Sequence, residues 1–304
     1  MDNLKGKTAF ITGGASGIGL ALAVACCEEG MNVVVADIRQ SAIDDAMAVL
    51  SNEAWPVMTA LLDVTDRDAY KKVVDEAEAK FGNIHLLINN AGIGASRGPL
   101  WDVTYAQTDL AIDINLTAVL TGIQLVVPHM LKHGEGGYIV NTASKAALIA
   151  VPNCGLYNLT KQALISLSET LAMDLSGTSV GACVFCPGPF QTSLGQTSGE
   201  IEALFLGDGA STPPPPRPGV NVQDFAKVQR PAAEAAKRVL QGVKNGDLYI
   251  FTHSEFKNGF GERVDAMLRA FPDEIPNEEF KKVFSFLVHN PVFETQRQVP
   301  AFES

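Results

Sequence analysis

The sequence predicts an α/β fold: a doubly wound, parallel seven-stranded sheet with helices on both faces, followed by a helical C-terminal extension. Two patterns carry that expectation. Short apolar runs alternate with longer helix-like segments through most of the 304 residues. The first run also ends in a glycine cluster that opens onto a helix-like segment, Thr12-Gly13-Gly14-Ala15-Ser16-Gly17-Ile18-Gly19. Neighbouring parallel strands need crossover helices, so this alternation favours one wound sheet.

In chain order, strands are expected over residues 8–12, 32–37, 55–61, 86–89, 137–142, 180–185 and 247–252. Helices are expected over 17–29, 41–52, 66–81, 104–133, 155–175 and 231–243, the last starting at Pro231. The apolar stretch 110–131 is interrupted by Asp113, Asn115, Gln124 and Pro128 and reads as a buried helix instead of a membrane span. After Pro187 the rhythm stops. Residues 190–229 hold several glycines and the stiff run Pro213 to Pro216, and they read as a loop or lid with a short helix. Beyond residue 252 helices are expected over 255–271 and 277–289, in a packing or interface extension.

Charge and cysteine usage narrow the function class. A net charge of −11 without a basic cluster excludes the usual nucleic-acid and anionic-membrane surfaces and leaves a small molecule as the expected partner. Met1 to Lys7 lead directly into the first strand with no apolar leader, which points to the cytoplasm. Cys26, Cys27, Cys154, Cys183 and Cys186 form no disulfide framework, in keeping with a reducing compartment. The Cys183-x-x-Cys186 pair falls on a buried strand with no second pair nearby, so it is assigned to the core and no metal site is expected.

A glycine-rich turn between a strand and a helix lets the backbone approach a pyrophosphate, whose charge the helix N-terminus stabilises. Asp37 ends the second strand, eighteen residues after Gly19, where a carboxylate accepts hydrogen bonds from the adenosine ribose hydroxyls and repels a 2′-phosphate. NAD is therefore expected over NADP. Arg39 is the one feature against this; it reads as a solvent-exposed charge at a helix start.

At the other end of the expected site, Tyr157 and Lys161 stand one helical turn apart. An ammonium near a phenol lowers a pKa that is otherwise ~10, which fits a tyrosine to act as a base near neutral pH. Ser144 precedes Tyr157 by thirteen residues, just beyond the C-terminal end of a strand, where ligands bind in open parallel sheets. Thr142 is its nearest competitor. Lys145 reads as solvated.

The spacing Gly13-x3-Gly17-x-Gly19 resembles the short-chain dehydrogenase/reductase family, a Rossmann-like fold. The resemblance extends through Asp63-Val64, Asn89-Asn90-Ala91-Gly92, the tetrad Asn115, Ser144, Tyr157 and Lys161, and Pro187-Gly188-Pro189-Phe190-Gln191-Thr192. It implies cofactor contacts from Gly13, Ser16, Gly17, Ile18, Gly19, Asp37, Asp63, Val64, Asn90, Ala91, Gly92, Tyr157, Lys161, Pro187, Gly188, Phe190 and Thr192. It assigns Ser144 to the substrate oxygen and Asn115 to a helix kink and a water relay toward Lys161.

The resemblance also implies a homodimer or homotetramer interconverting an alcohol and a ketone. Residues 1–252 would form the dinucleotide-binding and catalytic domain, 190–229 its substrate loop, and 253–304 the extension. Ala95, Ser96, Ala146, Ala147, Cys154, Pro189, Phe190 and Leu194 are expected to line the substrate pocket and suit a hydrophobic ring or aromatic compound. The segment 247–255 resembles short-chain dehydrogenases of aromatic and lignin-fragment catabolism. Two rivals are an idle NAD-binding sensor or scaffold, which has no need of the tetrad, and an epimerase or dehydratase, whose glycines are spaced differently.

Overall fold

The computed structural model describes residues 1, 3–51, 55–95, 98–207 and 222–299. Seven parallel strands form one sheet in the order β3-β2-β1-β4-β5-β6-β7. They are β1 (Thr8–Thr12), β2 (Asn32–Asp37), β3 (Val57–Leu61), β4 (Leu86–Asn89), β5 (Gly137–Thr142), β6 (Val180–Cys186) and β7 (Tyr249–Phe251). The order reverses between β1 and β4, which opens a crevice at the C-terminal edge of the sheet.

Side-chain alternation along the strands divides the core between two faces. Ile11, Val33, Val35, Ile88 and Val140 pack with α1 (Gly17–Glu28), α2 (Gln40–Leu50) and α9 (Ala232–Asn245). Phe10, Val34, Leu87 and Ile139 point the other way, toward α3 (Arg67–Phe81) and α5 (Ala118–His133). Val184 and Cys186 pack against α6 (Gly155–Asp174) on that second face. All five cysteines are free and buried. Burial pushes the Cys186 thiol up to about 12 and Cys183 up as well, so both behave as core side chains.

Several boundaries move for local reasons. The third strand starts at Val57 and not at Trp55, because Pro56 has no N–H to give the ladder. Asp66 caps α3 from outside, accepting from the Asp68 and Ala69 amides. Pro231 is likewise the residue before α9.

The expected single helix over 104–133 is three pieces: α4 (Tyr105–Ile112), a π-helical turn (Asp113–Thr117) and α5. The stretch from Tyr105 to His133 is long and apolar enough to cross a membrane by length and composition, and 56% of its most apolar window is buried inside the molecule.

The expected lid holds a 13-residue helix, α7 (Leu194–Leu206), and α8 (Val222–Lys227). The Pro213–Pro216 run lies outside the described residues. The extension is less helical than expected: α10 (Lys257–Leu268) is followed by α11 (Glu278–Val283) and α12 (Ser285–Val288), separated at Phe284. Arg263 anchors α10 by donating to the carbonyls of Ala147 and Leu148, 3.1 and 3.0 Å away. Farther on, Gln296 Oε1 accepts the Tyr249 amide of edge strand β7 at 2.7 Å.

Candidate active site

Two adjoining clefts open at the C-terminal edge of the sheet. The first runs along the glycine turn. Gly13 and Gly17 adopt φ of 59° and 52°, in the left-handed region that favours glycine. A Cβ on Gly13 would lie 2.9 Å from Ala91 Cα, and one on Gly17 would lie 3.2 Å from Thr192. The turn is held from both sides. Asp37 Oδ2 accepts the Ala15 amide at 3.3 Å, while Asn90 Nδ2 donates to the carbonyls of Thr12 and Gly13 at 3.1 and 3.0 Å. Thr12 Oγ1 in turn accepts the amides of Asn90 and Ala91.

Gly13, Ser16, Gly17, Ile18, Gly19, Asp37, Asp63, Val64, Asn90, Ala91, Gly92, Tyr157, Lys161, Pro187 and Thr192 all line this first cleft. Gly188 and Phe190 do not. They line the second cleft, because the Gly188 amide is drawn away to Thr252 Oγ1 at 3.1 Å and the Phe190 ring packs edge-on against His253.

Sequence reasoning missed the upper wall of the first cleft. Leu194, Thr197 and Ile201 of α7 line it, and Ile201 packs in an apolar cluster with Ile93 and Ile114, against which Ile38 also lies. The amphipathic run of α7 is the only local signal that could have placed it there. Arg39 also corrects its expectation. It is not a solvated charge; its side chain is 22% exposed, donates from Nη2 to Ser16 Oγ at 2.9 Å, and stands 3.6 Å from both Asp37 and Glu200.

The second cleft, a cavity of about 600 Å³, is lined by Ala95, Ser144, Lys145, Ala146, Cys154, Pro189 and Phe190, with Leu194 and Ser198 from α7. Ala147 is not in the wall; it is buried under Leu148 and Leu164. Ser96 lies outside the described residues. Lys145 is half-buried and not solvated, with Nζ 5.1 Å from the centre of the Phe256 ring. Ser144 caps the short helical turn Lys145–Ala147 and accepts the Ala146 amide at 3.2 Å, which fixes its rotamer at the cleft.

Tyr157 and Lys161 share one face of α6, with the ammonium 5.8 Å from the centre of the phenol ring. Lys161 is 4% exposed and donates to the Thr142 carbonyl at 3.0 Å. Burial lowers its pKa from 10.5 to about 8, with the Cys186 thiol acting weakly in the opposite direction.

Asn115 sits behind this pair, fully buried in the π-turn. Its Oδ1 accepts the Ile93 amide at 2.8 Å, and its Nδ2 donates to the Ile93 carbonyl at 3.0 Å and to Thr160 Oγ1 at 3.2 Å. A Cβ on Gly92 would meet both Asn115 Oδ1, at 3.0 Å, and Lys161 Nζ, at 3.2 Å, so only glycine lets the two approach there.

The residues of the first cleft fit a dinucleotide. The glycine turn leaves space that side chains would fill, and Thr142 Oγ1 is a buried hydroxyl on the cleft wall with no hydrogen-bond partner among the described residues. The two clefts meet at Ile18, Tyr157, Pro187, Thr192 and Leu194, which line both.

Comparisons with known proteins agree with this architecture. A family model described as short chain dehydrogenase matches residues 7–203. A C alpha-dehydrogenase from Sphingobium is 30% identical over 274 residues, covering 88% of this chain and 87% of its own. A 1-deoxy-11-beta-hydroxypentalenate dehydrogenase from Streptomyces avermitilis is 29% identical over 268 residues, covering 88% and 92%.

Among solved structures, a short-chain dehydrogenase/reductase from Burkholderia phymatum in complex with NAD superposes with a TM-score of 0.79 at 29% identity, covering 91% of this chain and 100% of its own. The chain belongs to the short-chain dehydrogenase/reductase family, and with it to the oxidoreductases that work with a nicotinamide cofactor.

Proposed function

We propose that this protein is an NAD-dependent dehydrogenase that interconverts a secondary alcohol and a ketone on a hydrophobic ring or aromatic compound. The observation that carries the reading is the position of Tyr157, which lines the dinucleotide cleft and the second cleft at once. A group at that junction reaches both a cofactor and a substrate. Asp37, buried at the end of β2 on the wall of the first cleft, supports NAD. Ala95, Ala146, Cys154 and Phe190 supply apolar walls to the second, whose volume suits a small organic molecule.

In this reading Ser144 Oγ donates a hydrogen bond to the substrate oxygen. Tyr157 takes the hydroxyl proton during oxidation and returns it during reduction. Bound NAD supplies the hydride acceptor. Lys161 spends one of its three N–H bonds on Thr142; the other two would serve a bound nicotinamide ribose and the phenol, its ring centre 5.8 Å away, whose ionised form its charge would stabilise. Asn115 is a positioning residue that fixes the backbone at Ile93 and the turn beside Lys161. Thr142 Oγ1 adds a hydroxyl that sequence reasoning weighed only for the substrate side.

Residues 1–252 then form the cofactor-binding and catalytic domain, 190–229 its substrate lid and 253–304 the extension. Two or four copies assemble in the cytoplasm. Tyr157→Phe is expected to lower turnover of a secondary-alcohol panel by about 10²–10⁴-fold, while a fluorescence titration shows NADH binding nearly unchanged. Retained turnover would sink the assignment of Tyr157. Bound NADH with no turnover of any alcohol or ketone by the unaltered chain would favour an idle scaffold instead.

A further inference from the structure

The guanidinium of Arg39 is shared by three groups on three different segments. Nη2 donates to Ser16 Oγ in the glycine turn at 2.9 Å. Nε stands 3.6 Å from Asp37 Oδ1 at the end of β2, and Nη1 stands 3.6 Å from Glu200 Oε2 on lid helix α7. Glu200 is held in place from both sides. Its Oε1 accepts Gln196 Nε2 at 2.9 Å, and the next residue, Ile201, is buried among apolar side chains that Ile38 packs against. The lid helix thus delivers a second carboxylate to the ribose end of the dinucleotide cleft.

We propose that Glu200 is a cofactor-specificity determinant: by occupying Arg39 from the lid side, it stops Arg39 and Ser16 from serving as a 2′-phosphate site. The inference rests on the NAD reading above and assigns part of that preference to a residue far from Asp37 in sequence. An arginine beside a hydroxyl is a competent phosphate cradle, since both donate hydrogen bonds to phosphate oxygens. Here two carboxylates flank the one cation. A 2′-phosphate seated beside Asp37 would add two more negative charges to a spot whose formal charge is already −1. Removing Glu200 leaves Arg39 balanced by Asp37 alone and frees one edge of its guanidinium.

The size of the effect follows from exposure. Glu200 is 47% exposed, so its pairing with Arg39 is partly screened and is worth a few-fold in affinity, not orders of magnitude. That same exposure makes Glu200→Gln a safe substitution for the fold.

The test is a set of fluorescence titrations with NADH and NADPH, which need no substrate. Glu200→Gln is expected to tighten NADPH binding by about fivefold and to change NADH binding by less than twofold. In an Arg39→Leu background the same substitution should give no gain, as a double-mutant cycle reads directly. An unchanged NADPH-to-NADH ratio in Glu200→Gln, or a gain that survives the loss of Arg39, overturns the inference while leaving the NAD reading intact. Tighter NADPH than NADH binding by the unaltered chain overturns both.

Discussion

Lys161 holds the most informative titration in the molecule. Burial brings its pKa down to about 8, so the folded chain sheds that proton as pH passes 8, whereas the unfolded chain keeps it to about 10.5. Across that window the unfolded state binds more protons, and the contribution of Lys161 to conformational stability rises with pH. Cofactor binding should move the other way if the ammonium meets the ribose: the Kd for NADH should rise once pH exceeds about 8, by up to tenfold per unit. A Lys161→Met variant should bind NADH weakly and lose that dependence. A flat profile in the unaltered chain would remove Lys161 from the ribose contact.

Residues differ in how far their chemistry was legible. Tyr157 and Lys161 announce themselves because one helical turn separates them and no tertiary contact is needed to bring them together. Arg39 and Thr142 do not, because what each touches, Glu200 in one case and the buried wall beside Lys161 in the other, is fixed by chain segments far away.

Among the elements, the π-turn Asp113–Thr117 carries the buried site residue Asn115. A π-turn widens the helix by one residue, and such turns recur at functional sites. Here the wider turn carries Asn115 inward, where it closes a two-way pairing with the Ile93 backbone. Asn115→Leu would leave the buried Ile93 N–H and C=O unpaired. Urea unfolding should then show a loss of at least about 2 kcal/mol, larger than an apolar substitution of similar size on an exposed helix face.

Apolar periodicity placed one unbroken helix over this stretch, whereas the family resemblance had implied a kink at Asn115, and the π-turn lies there. Periodicity reports which residues are apolar, while the partner of Asn115 in the π-turn, the Ile93 backbone, lies on another segment. The same limit explains α7. Its apolar residues were visible, but that they roof the dinucleotide cleft depends on Ile201 meeting the cluster beside Ile38.

For the whole molecule, the extension is the part least absorbed into the core. Met267, Leu268, Phe271, Ile275, Leu287 and Val288 are all exposed, a concentration of exposed large apolar side chains in one segment of the chain. Among the described residues the extension is tied down by Arg263 on the Ala147 and Leu148 carbonyls, by Phe260 against the core beside Leu164, by Asn290 Nδ2 on Met173 Sδ at 2.7 Å and by Gln296 on the Tyr249 amide. Homo-oligomerisation would bury that surface. Light scattering should show two or four copies of the full chain and a smaller assembly for a chain ending after Leu268, with NADH affinity preserved because neither cleft is lined by residues beyond that point. An unchanged assembly size would move the interface elsewhere.

By itself, the sequence determined the wound parallel sheet, the glycine turn at its first strand, and the tyrosine, lysine and serine at the far end. These are encoded in short windows, through period-two and period-3.6 patterning, glycine conformations and one-turn spacing. The tertiary structure alone decided that Tyr157 stands at the junction of two clefts, that Asn115 pairs with the Ile93 backbone, and that a carboxylate on α7 reaches the arginine beside Asp37. Each of these joins groups whose distance in sequence carries no information about their distance in space. Close packing of helices onto a twisted sheet fixes that separation.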